Sequence, residues 1–576
     1  MPIEWIDAGT PYSAVWQDWL TRRSPLLAQR LGPHPADWLG VGAAAPVAPP
    51  NLDWLKQFPP AAKAALAQRI ATALRRETGG ELAVPLIAAL EQFGRPNAAL
   101  VITGQQPGLW GGPCYTLWKA LSALAAARRL NDPALRPTWA ADFHFVPAFW
   151  VAGEDADVAE AARAWSWSAG AGSKAWAFGD SAAYGGPVHP VLNDLSLGPA
   201  AAACAEFAAG LDAGQHTAAL VELLAAYRDP AQRFSGAFVR LMTRVLGDLG
   251  MVVIESRMLA GLPARDRLVD RGIDEAPAIA RALHAGAETI AAAQYEVSFP
   301  PATLDRGPFV FLSDAPENTS APGIFGPRRR LLGAEPPFGL HHADGAALSR
   351  EALRDLLAAS PERFSFGAPL RVLVQNTVLP TAVVVLGPGE LTYWAQLREL
   401  SDGLEAPWPA LLPRASLTAL FTRHTRLLRK LNIRIDPFLS ESFDPNHVLP
   451  PSEDLAPWLQ RRDALQGDLA AWFEQGGALA PGERKLQEKT QQKFVYELEK
   501  FSSHVVRAHG EASAGAGSSI SALRDFVHPH GPQERALVWP VLLNAFGLDL
   551  PAQVADDLQA WLADPANLTR HGVVSL

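Results

Sequence analysis

A glycine-rich turn is the first place where the sequence could bind a small molecule. The segment TGQQPGLWGGP, residues 103–113, follows a short apolar run and precedes apolar residues at helical spacing. Glycines let the backbone approach a ligand, and a helix start offers unpaired N–H groups to an anion. The turn suits a nucleotide phosphate or a substrate carboxylate, or alternatively it is a tight structural turn; it lacks the GxxxxGK[ST] and GxGxxG patterns. The candidate residues are Thr103, Gly104, Gln105, Gln106, Gly111 and Gly112.

Three carboxylates follow the next apolar run, which contains Trp150. Glu154, Asp155 and Asp157 come directly after this predicted strand, where open α/β sheets place their sites. Such carboxylates can hold Mg²⁺, bind an ammonium group or act as a general base. Alternatively, they are acids that favour a helix N-terminus for electrostatic reasons. Because adjacent residues of a helix point in different directions, at most two of the three should share a target.

A third candidate site combines a cationic segment with a second glycine turn. The sequence RVLVQNTVLP begins at position 371, and GPGE follows the apolar run 381–386 at the start of another predicted helix. Here too a predicted strand end meets a glycine turn and a helix start. Alternatively, the glutamate is only a helix-dipole acid and the aromatic residues after it only pack. The candidate residues are Arg371, Gln375, Gly387, Gly389, Glu390, Tyr393 and Gln396.

The order strand, glycine turn, helix recurs along the first 400 residues and predicts how these candidates are positioned. Short, β-branched apolar runs that stop at a glycine or an acid are typical of buried strands. They occupy residues 98–103, 145–152, 251–255 and 381–386. A segment with apolar residues at helical spacing follows or precedes each run. The pattern predicts a parallel sheet with helices on both faces, an α/β fold.

After about residue 400 the pattern becomes almost entirely helical. Two stretches carry apolar residues at alternating spacings of four and three, as the a and d positions of a coiled coil do. They contain Leu465, Leu469 and Trp472 in the first stretch, and Phe494, Leu498, Phe501 and Val505 in the second. A turn at 476–483 separates them. We predict two antiparallel helices that form a coiled-coil arm, whose apolar seam favours a homodimer.

Composition excludes several classes of protein. The 576 residues are 48% hydrophobic and 19% charged, which is typical of a folded globular chain. The net charge of −9 argues against nucleic-acid binding. Two cysteines, Cys114 and Cys204, cannot form a disulfide framework or a CxxC zinc site, and we expect no metal site. The acidic N-terminal segment and the absence of a long apolar run predict a cytoplasmic protein with no membrane partner.

Two further residues need a separate interpretation. His424 shares an apolar face with three leucines, so we predict a core histidine and not a ligand. Cys114 lies at a predicted helix start, which would lower the pKa of its thiol. No histidine or asparagine is evidently paired with it, so we assign it no role.

With these residues in view, the chain resembles the BshC family of bacillithiol biosynthesis, the cysteine ligases. The resemblance rests on long motifs in a fixed order that span most of the chain. The matching stretches are VITGQQPGLWGGPCYTLWKALSAL (101–124), VPAFWVAGEDADVAEA (146–161), LRVLVQNTVLPTAVVVLGPGELTYWAQL (370–397), LLPRASLT (411–418) and HPHGPQER (528–535). The family usually has a histidine where this chain has Ala156, and an acid is commoner at Asn376.

The resemblance implies a Rossmann-like core with helical insertions and a dimerising coiled-coil arm. On this basis we divide the chain into a core, a helical connection, the arm and a C-terminal helical segment that returns to the core. These correspond to residues 1–400, with insertions at about 160–235 and 260–345, then 401–450, 451–510 and 511–576.

The resemblance also implies an activity: joining the carboxyl group of L-cysteine to the amine of glucosaminyl-malate. A free carboxylate needs activation, most simply by ATP with Mg²⁺, and no tightly bound cofactor is expected. Glu154, Asp155 and Asp157 would serve as catalytic residues, and Arg371 and Arg414 would hold malate, because arginine pairs bidentately with carboxylates. The alternative, motivated by the missing histidine, is a non-catalytic dimer that binds a nucleotide or the sugar-malate.

Overall fold

The computed structural model divides the chain into two compact units. The first combines Met1–Ala419 with Gln533–Leu576, and the second is Leu420–Pro532. The C-terminal segment from residue 533 therefore belongs to the same unit as the predicted core. The structure describes residues 3–7, 12–42, 45–177, 189–301, 307–315, 324–333, 335–341, 343–440, 456–474, 481–510 and 514–575.

Strands occur throughout the first unit. They are β1 (Ile3–Ile6), β2 (Ala98–Gln105), β3 (His144–Val151), β4 (Arg163–Ser168), β5 (Gly172–Ala177), β6 (Val252–Glu255), β7 (Val310–Ser313), β8 (Arg328–Leu332), β9 (Phe338–Leu340), β10 (Ala343–Leu348), β11 (Phe364–Phe366), β12 (Thr381–Leu386), β13 (Ala410–Pro413), β14 (Ser416–Leu420) and β15 (His571–Ser575).

Helices occur in both units. They are α1 (Ala14–Leu20), α2 (Pro25–Leu31), α3 (Pro35–Trp38), α4 (Leu52–Gln57), α5 (Pro60–Thr78), α6 (Val84–Phe93), α7 (Cys114–Asn131), α8 (Val158–Ala161), α9 (Ala201–Ala209), α10 (Thr217–Leu223), α11 (Phe234–Gly247), α12 (Pro263–Asp274), α13 (Ala276–Ala292), α14 (Arg350–Ala359), α15 (Ala368–Val378), α16 (Pro388–Gln396), α17 (Arg398–Gly403), α18 (Thr422–Leu431), α19 (Asp436–Leu439), α20 (Ala456–Glu474), α21 (Pro481–Gly510), α22 (Ala514–Val527), α23 (Gln533–Ala536), α24 (Pro540–Phe546) and α25 (Leu550–Ala563).

A five-stranded parallel sheet forms the centre of the first unit, in the order β13-β12-β2-β3-β6. Every residue of β6, β12 and β13 is buried. Because side chains alternate between the two faces of a strand, both faces of this sheet are covered. Helices α6 and α7 each pack against β2 and β3. The predicted α/β fold with a parallel sheet is confirmed, and four of its five strands were predicted from apolar runs.

The resemblance implied helical insertions, but both insertions also contain strands. The first contains the antiparallel hairpin β4-β5 besides α9 and α10. The second contributes most of an antiparallel sheet in the order β10-β9-β8-β7-β11, besides α12 and α13. A further sheet, β1-β15-β14, joins the N-terminal and C-terminal strands. The C-terminal segment therefore ends in a strand and not in a helix.

Two local predictions were wrong for the same reason. The helix expected after residue 157 is only the four-residue α8, and the sequence RAWSWS then forms β4. The connection 401–450, expected to be helical, contains β13 and β14. Short apolar runs do not distinguish a buried strand from a buried helical segment by periodicity alone.

In the second unit, the two helices predicted for the arm are present as α20 and α21. The ring of Trp458, early in α20, lies 6.1 Å from that of Phe501, late in α21, so the helices run antiparallel. Their seam residues Leu465, Trp472, Phe494 and Phe501 are 51%, 68%, 55% and 59% exposed in the single chain. The coiled coil and the homodimer stay predictions, and most of the turn at 476–483 lies outside the described residues.

His424 is a core residue, as predicted. It is buried in the second unit, where its ring lies 5.3 Å from that of Phe421 and 5.0 Å from that of Phe526. Burial lowers the pKa of His424 to about 4, so the ring is neutral at physiological pH. Among the helices that the structure describes, none has the length and apolar character needed to cross a membrane.

Candidate active site

A cavity of about 670 Å³ opens at the carboxyl ends of β2, β3 and β12. We call it the main cavity. Open parallel sheets bind their ligands at this edge, and the volume is in the usual range for a ligand site, about 300–1,000 Å³. Most of the residues singled out in the sequence contribute to its wall. They are Gly104, Gln105, Gln106, Trp150, Asp155, Arg371, Gln375, Gly387, Gly389, Glu390, Tyr393 and Arg414.

A buried lysine joins the two glycine turns on one side of the main cavity. The ammonium group of Lys119, on α7, lies 2.7 Å from the Glu390 carboxylate and donates to the Gly104 carbonyl oxygen and, at 3.2 Å, to Gln105 Oε1. Burial lowers the pKa of Lys119, and the charge of Glu390 opposes this effect. Glu390 also accepts a hydrogen bond from the Gly387 N–H at 2.6 Å. Glu390 therefore caps α16 and also lines the cavity. The sequence had offered these two roles, a helix-terminal acid and a site residue, as alternatives.

Two of the three clustered carboxylates share one cationic partner. Arg371 donates to Asp155 at 2.8 Å and lies 3.3 Å from Glu154. Burial alone would raise the pKa of Asp155, but the charge and hydrogen bond of Arg371 outweigh it and hold the pKa at about 2. Asp157 instead accepts from the Glu160 N–H at 2.9 Å, as the N-cap of α8. Asp155 is therefore an ionised carboxylate of low basicity, whereas the Asp157 carboxylate stabilises the start of α8.

Arg414 already holds a carboxylate that belongs to the protein. Its guanidinium donates to both oxygens of Glu534 at 2.7 and 2.8 Å, and also to the Ala415 carbonyl oxygen and Ser416 Oγ at 2.9 and 3.0 Å. Both side chains are buried. Glu534 belongs to the HPHGPQER stretch, whose contribution to the site was not predicted. The role of Arg414 in holding malate stays a prediction, but Glu534 occupies its bidentate face.

Three N–H groups in and after the first glycine turn are already bonded within the protein. The Gly111 N–H donates to Tyr227 Oη at 3.2 Å, and the Gly112 N–H donates to the Leu109 carbonyl oxygen at 2.9 Å. At the start of α7, the Cys114 N–H donates to the Leu537 carbonyl oxygen at 2.8 Å. A phosphate at this helix start could use these three groups only by breaking their bonds. Anion binding by the turn stays a prediction.

Glycine is required in this turn for packing. At Gly104, a Cβ atom would lie 3.0 Å from the Trp150 Cβ on the neighbouring strand. At Gly111, with φ of +86°, a Cβ atom would overlap the Trp539 indole ring. Trp539 Nε1 donates to the Gly111 carbonyl oxygen at 2.8 Å. The close approach at these positions is to the protein's own side chains.

The remaining residues from the sequence analysis do not line the main cavity. Thr103 donates to the Val385 carbonyl oxygen at 2.9 Å within the sheet. Gln396 is fully buried and bonds both backbone groups of Phe299 at 3.0 and 2.8 Å. Both are structural contacts, and a binding role for either stays untested. The others outside the main cavity are Glu154, Asp157, Gly111 and Gly112.

Four polar residues of the cavity wall were not predicted from the sequence: Tyr115, Lys119, Glu160 and Arg535. Tyr115 and Lys119 are four residues apart, so they lie on one face of α7. A lone lysine among apolar residues of a predicted helix was a usable signal. Glu160 also had a signal, since it continues the acidic cluster. Arg535 had only an indirect signal, since it ends the family-like stretch HPHGPQER, and its place in the cavity depends on tertiary structure.

Glu160 differs from the other carboxylates of the main cavity. Within the described residues it forms no ion pair, whereas Asp155 pairs with Arg371 and Glu390 with Lys119. Its side chain is open to the cavity. Desolvation raises the pKa of Glu160, the Gln106 hydrogen bond and the charge of Lys119 oppose this effect, and the charges of Asp157 and Asp155 add to the rise, which prevails. Glu160 is therefore a better proton acceptor than an ordinary glutamate.

A second cavity, of about 360 Å³, adjoins the main cavity. The two share the side chains of Gln105, Gln106, Tyr115, Glu160 and Arg535. The second cavity also reaches Arg163 at the start of β4. A ligand longer than one cavity can therefore extend from one to the other past Glu160.

The two cysteines are buried, unpaired thiols. Burial raises the pKa of Cys114 well above the usual value, and the charge of Glu534 adds to the rise. The expected lowering at a helix start is therefore wrong, because desolvation exceeds the helix effect. Burial likewise raises the pKa of Cys204, to about 12. Neither thiol is a nucleophile at neutral pH.

Comparison with known proteins adds an independent observation. The family model "Bacillithiol biosynthesis BshC, N-terminal Rossmann-like domain" matches residues 52–415. The chain is 28% identical over 495 residues to a protein of Symbiobacterium thermophilum, covering 81% of this chain and 83% of that protein. It is 28% identical over 510 residues to a protein of Salinibacter ruber, covering 84% of each. Both relatives carry the name "Putative cysteine ligase BshC".

The matched region contains every strand of the central sheet and all of the main cavity wall except Arg535. It covers well over half of the chain. This protein therefore belongs to the BshC family of bacillithiol biosynthesis and contains its Rossmann-like domain.

Proposed function

We propose that this protein is an amide-forming cysteine ligase that joins the carboxyl group of L-cysteine to the amine of glucosaminyl-malate. The observation that carries the proposal is the main cavity. Three stretches that resemble the family, 101–124, 146–161 and 370–397, converge there at the carboxyl ends of parallel strands. The relatives named as cysteine ligases support the same reaction.

The proposed reaction forms one C–N bond in two steps. The cysteine carboxylate first attacks ATP, giving an acyl-adenylate and pyrophosphate or an acyl-phosphate and ADP. The amine nitrogen then attacks the activated carbonyl carbon, the C–O bond to the phosphate breaks, and the nitrogen loses a proton. ATP is the donor that we propose, because a free carboxylate does not react with an amine without activation.

Lys119 and Arg371 supply positive charge to the wall where this chemistry would occur. Lys119 is buried and Arg371 is partly buried at the carboxyl end of the sheet, and both are fixed by carboxylates of the protein. Fixed charges stabilise a developing oxyanion or phosphate without reorganisation at the moment of reaction. We propose that these two cations orient the activated carboxyl group of cysteine.

The chain's own residues do not form a metal cage in the part that the structure describes. No three histidine, cysteine, aspartate or glutamate side chains cluster closely enough to hold an ion. Glu154 and Asp155 are bonded to Arg371. Mg²⁺ commonly binds nucleotide phosphates with only one or two protein carboxylates, so any Mg²⁺ would arrive with ATP.

We propose that Glu160 accepts the proton of the attacking amine. From the sequence, Glu154, Asp155 and Asp157 are the predicted catalytic residues, and they stay alternatives for this step. Glu160 is favoured because it faces both cavities, forms no ion pair within the described residues and has a raised pKa. A carboxylate with a pKa of about 2, such as Asp155, is a weak base.

A direct assay tests the ligase activity. Purified protein is incubated with L-cysteine, glucosaminyl-malate and ATP, and the amide product is sought by mass spectrometry. We expect product formation that depends on all three substrates, with stoichiometric release of ADP, or of AMP and pyrophosphate. Binding of glucosaminyl-malate without any product under these conditions would instead support a non-catalytic binding protein and overturn the proposal.

Substituting Glu160→Gln tests the proton acceptor. Loss of a general base lowers the rate by about 10²–10⁴, and a lower rate should remain across the pH range where the wild type is active. In the wild type, the rate should fall as the pH drops through the raised pKa of Glu160, because the protonated carboxyl cannot accept a proton. Glu222→Gln, at an exposed position on α10, is the matched control. An unchanged rate for Glu160→Gln would exclude this role.

We also propose that the protein is a homodimer through α20 and α21. The exposed aromatic residues Trp472, Phe494 and Phe501 support this proposal, because monomeric proteins rarely expose contiguous large apolar patches. Light scattering of the full chain at micromolar concentration should give twice the mass of one chain. The double substitution Phe494→Glu and Phe501→Glu should give a monomer. A wild-type protein that is already monomeric would contradict the proposal.

A further inference from the structure

Two exposed arginines, Arg163 and Arg535, line the second cavity, and one of them, Arg535, also lines the main cavity. Within the part of the chain that the structure describes, neither guanidinium forms a hydrogen bond or an ion pair. They come from separate elements, β4 and α23, so the fold brings them to one cavity although they are far apart in sequence.

Part of the backbone around this cavity is already bonded within the protein. The glycine turn borders the cavity at Gly108 and Gly112. The N–H groups of Gly111, Gly112 and Cys114 have partners in the protein. A phosphate held by a helix start needs such groups to be free. The two exposed arginines are therefore the cationic groups that an anion in this cavity would meet.

The chemistry of the two side chains selects the type of anion. A guanidinium presents its donors as a rigid planar fork that matches the two oxygens of a carboxylate. Two forks on different elements suit a ligand with two carboxylates better than one with a single anionic group. Asp157 and Glu160 also line the cavity, so the lining has no excess positive charge. Binding there must depend on direct contacts with the arginines and not on a general positive potential.

We infer that the second cavity is a dicarboxylate subsite, in which Arg535 and Arg163 each hold one carboxylate of the malate portion of the acceptor. This inference rests on the proposed function and specifies where that substrate binds. The sugar would then extend past Glu160 into the main cavity, because Glu160 and Arg535 line both cavities. In this orientation the acceptor amine lies on the side of the proposed base.

Calorimetric titration of the full-length protein with L-malate tests the subsite without any enzymatic reaction. Hydrogen bonds to charged groups are strong enough that losing one fork should weaken binding about 10- to 100-fold. We expect this loss for both Arg535→Gln and Arg163→Gln, and a smaller loss for Arg535→Lys, which keeps the charge without the fork. Arg75→Gln, at an exposed position on α5, is the matched control and should bind L-malate as the wild type does.

Competing anions and steady-state kinetics separate this inference from the proposed function. Succinate should compete with L-malate, and inorganic phosphate should not. In the ligase assay, both glutamine variants should raise the KM for glucosaminyl-malate and leave the KM for L-cysteine unchanged. If no amide product forms while L-malate binding still depends on both arginines, the subsite is supported and the proposed ligase reaction is not. Unchanged L-malate affinity in both variants, or stronger competition by phosphate than by succinate, would overturn the subsite.

Discussion

The arginines of the two adjoining cavities contrast in burial and in bonding. In the main cavity, Arg371 and Arg414 are bonded to carboxylates of the protein, and Arg414 is fully enclosed. Arg163, in the second cavity, and Arg535, which lines both cavities, are exposed and bonded to no described residue. A buried charge without a partner is too costly to keep, whereas an exposed one is solvated by water. The paired arginines therefore belong to the framework of the site, and the exposed pair is available to a ligand.

Lys119 extends the comparison, because it is a buried cation whose partner, Glu390, also lines the main cavity. The same carboxylate caps α16. Each buried cation of the main cavity is thus tied to an element of the fold: Lys119 to α16, Arg371 to the loop before α8 and Arg414 to α23. Changing one of these cations should lower stability as well as activity. Changing an arginine of the second cavity should weaken ligand binding and leave stability almost unchanged.

The largest effect should come from breaking the Arg414–Glu534 pair. Arg414→Met leaves the buried Glu534 carboxylate without its bidentate partner, and removing one member of such a pair costs about 3–5 kcal/mol. The double variant Arg414→Met, Glu534→Leu replaces the pair by apolar groups and should be more stable than either single variant. Urea denaturation measures all three free energies of unfolding.

The exposed ion pair Arg128–Asp556, with a distance of 2.6 Å and side chains 38% and 74% exposed, is the control for that experiment. Arg128→Met should cost no more than about 1 kcal/mol, because water solvates both groups of an exposed pair. Equal costs for Arg128→Met and Arg414→Met would show that burial does not distinguish the two pairs. The comparison between buried and exposed cations would then fail.

The framework of the main cavity could be predicted from sequence because its signals are local. Residues 98–103 and 381–386 are β-branched apolar runs that end at a glycine, so both strands and the turns at their carboxyl ends were identified. Parallel strands bring those turns to one edge, and for this reason most of the candidate residues do meet there. The acids Glu154 and Asp155 were identified by their position after β3.

The partners of these residues could not be predicted, because they depend on contacts between distant parts of the chain. Glu534 bonds Arg414 from 120 positions away, and Trp539 covers Gly111 from 428 positions away. The sequence predicted the first glycine turn as an anion site, and the bonds of the Gly111 and Cys114 N–H groups to Tyr227 and Leu537 could not be foreseen because both partners are distant in sequence. The antiparallel strands of the insertions were missed because segments such as RRRLL, in β8, carry no clear period.

A smaller effect is expected from the pH dependence of the Asp155–Arg371 pair. The pKa of Asp155 is lowered from 3.8 to about 2, which corresponds to about 2 kcal/mol of stability at neutral pH. Because the folded-state pKa is the lower one, this contribution is complete above about pH 4 and is lost as the pH falls toward 2. The difference in unfolding free energy between the wild type and Asp155→Asn should therefore be equal at pH 7 and pH 5, and shrink below pH 4.

Denaturation by urea at several pH values provides this measurement, with Asp556→Asn as the exposed control. The control difference should be small throughout, because the Arg128–Asp556 pair is exposed. If the wild type instead gains stability relative to Asp155→Asn as the pH falls from 7 to 5, the folded-state pKa of Asp155 is raised, and Arg371 does not hold Asp155 in its ionised form. Asp155 would then be available as a base near neutral pH, and the case for Glu160 would weaken.

The smallest effect on stability is expected for the arginines of the second cavity, and it distinguishes them most clearly from the buried pair. Without ligand, Arg163→Gln and Arg535→Gln should each change the free energy of unfolding by no more than about 0.5 kcal/mol, as most surface substitutions do. With L-malate at about 100 times its dissociation constant, the wild type should gain about 2.7 kcal/mol, because the ligand binds only the folded state. The double variant should gain almost nothing at the same concentration. Arg414→Met should be less stable than the wild type by the same amount with and without L-malate, because the group that loses its partner, Glu534, belongs to the protein. A large loss of stability in Arg163→Gln or Arg535→Gln without ligand would show that these guanidiniums have partners in the folded chain, and the distinction between framework and ligand-binding arginines would not hold.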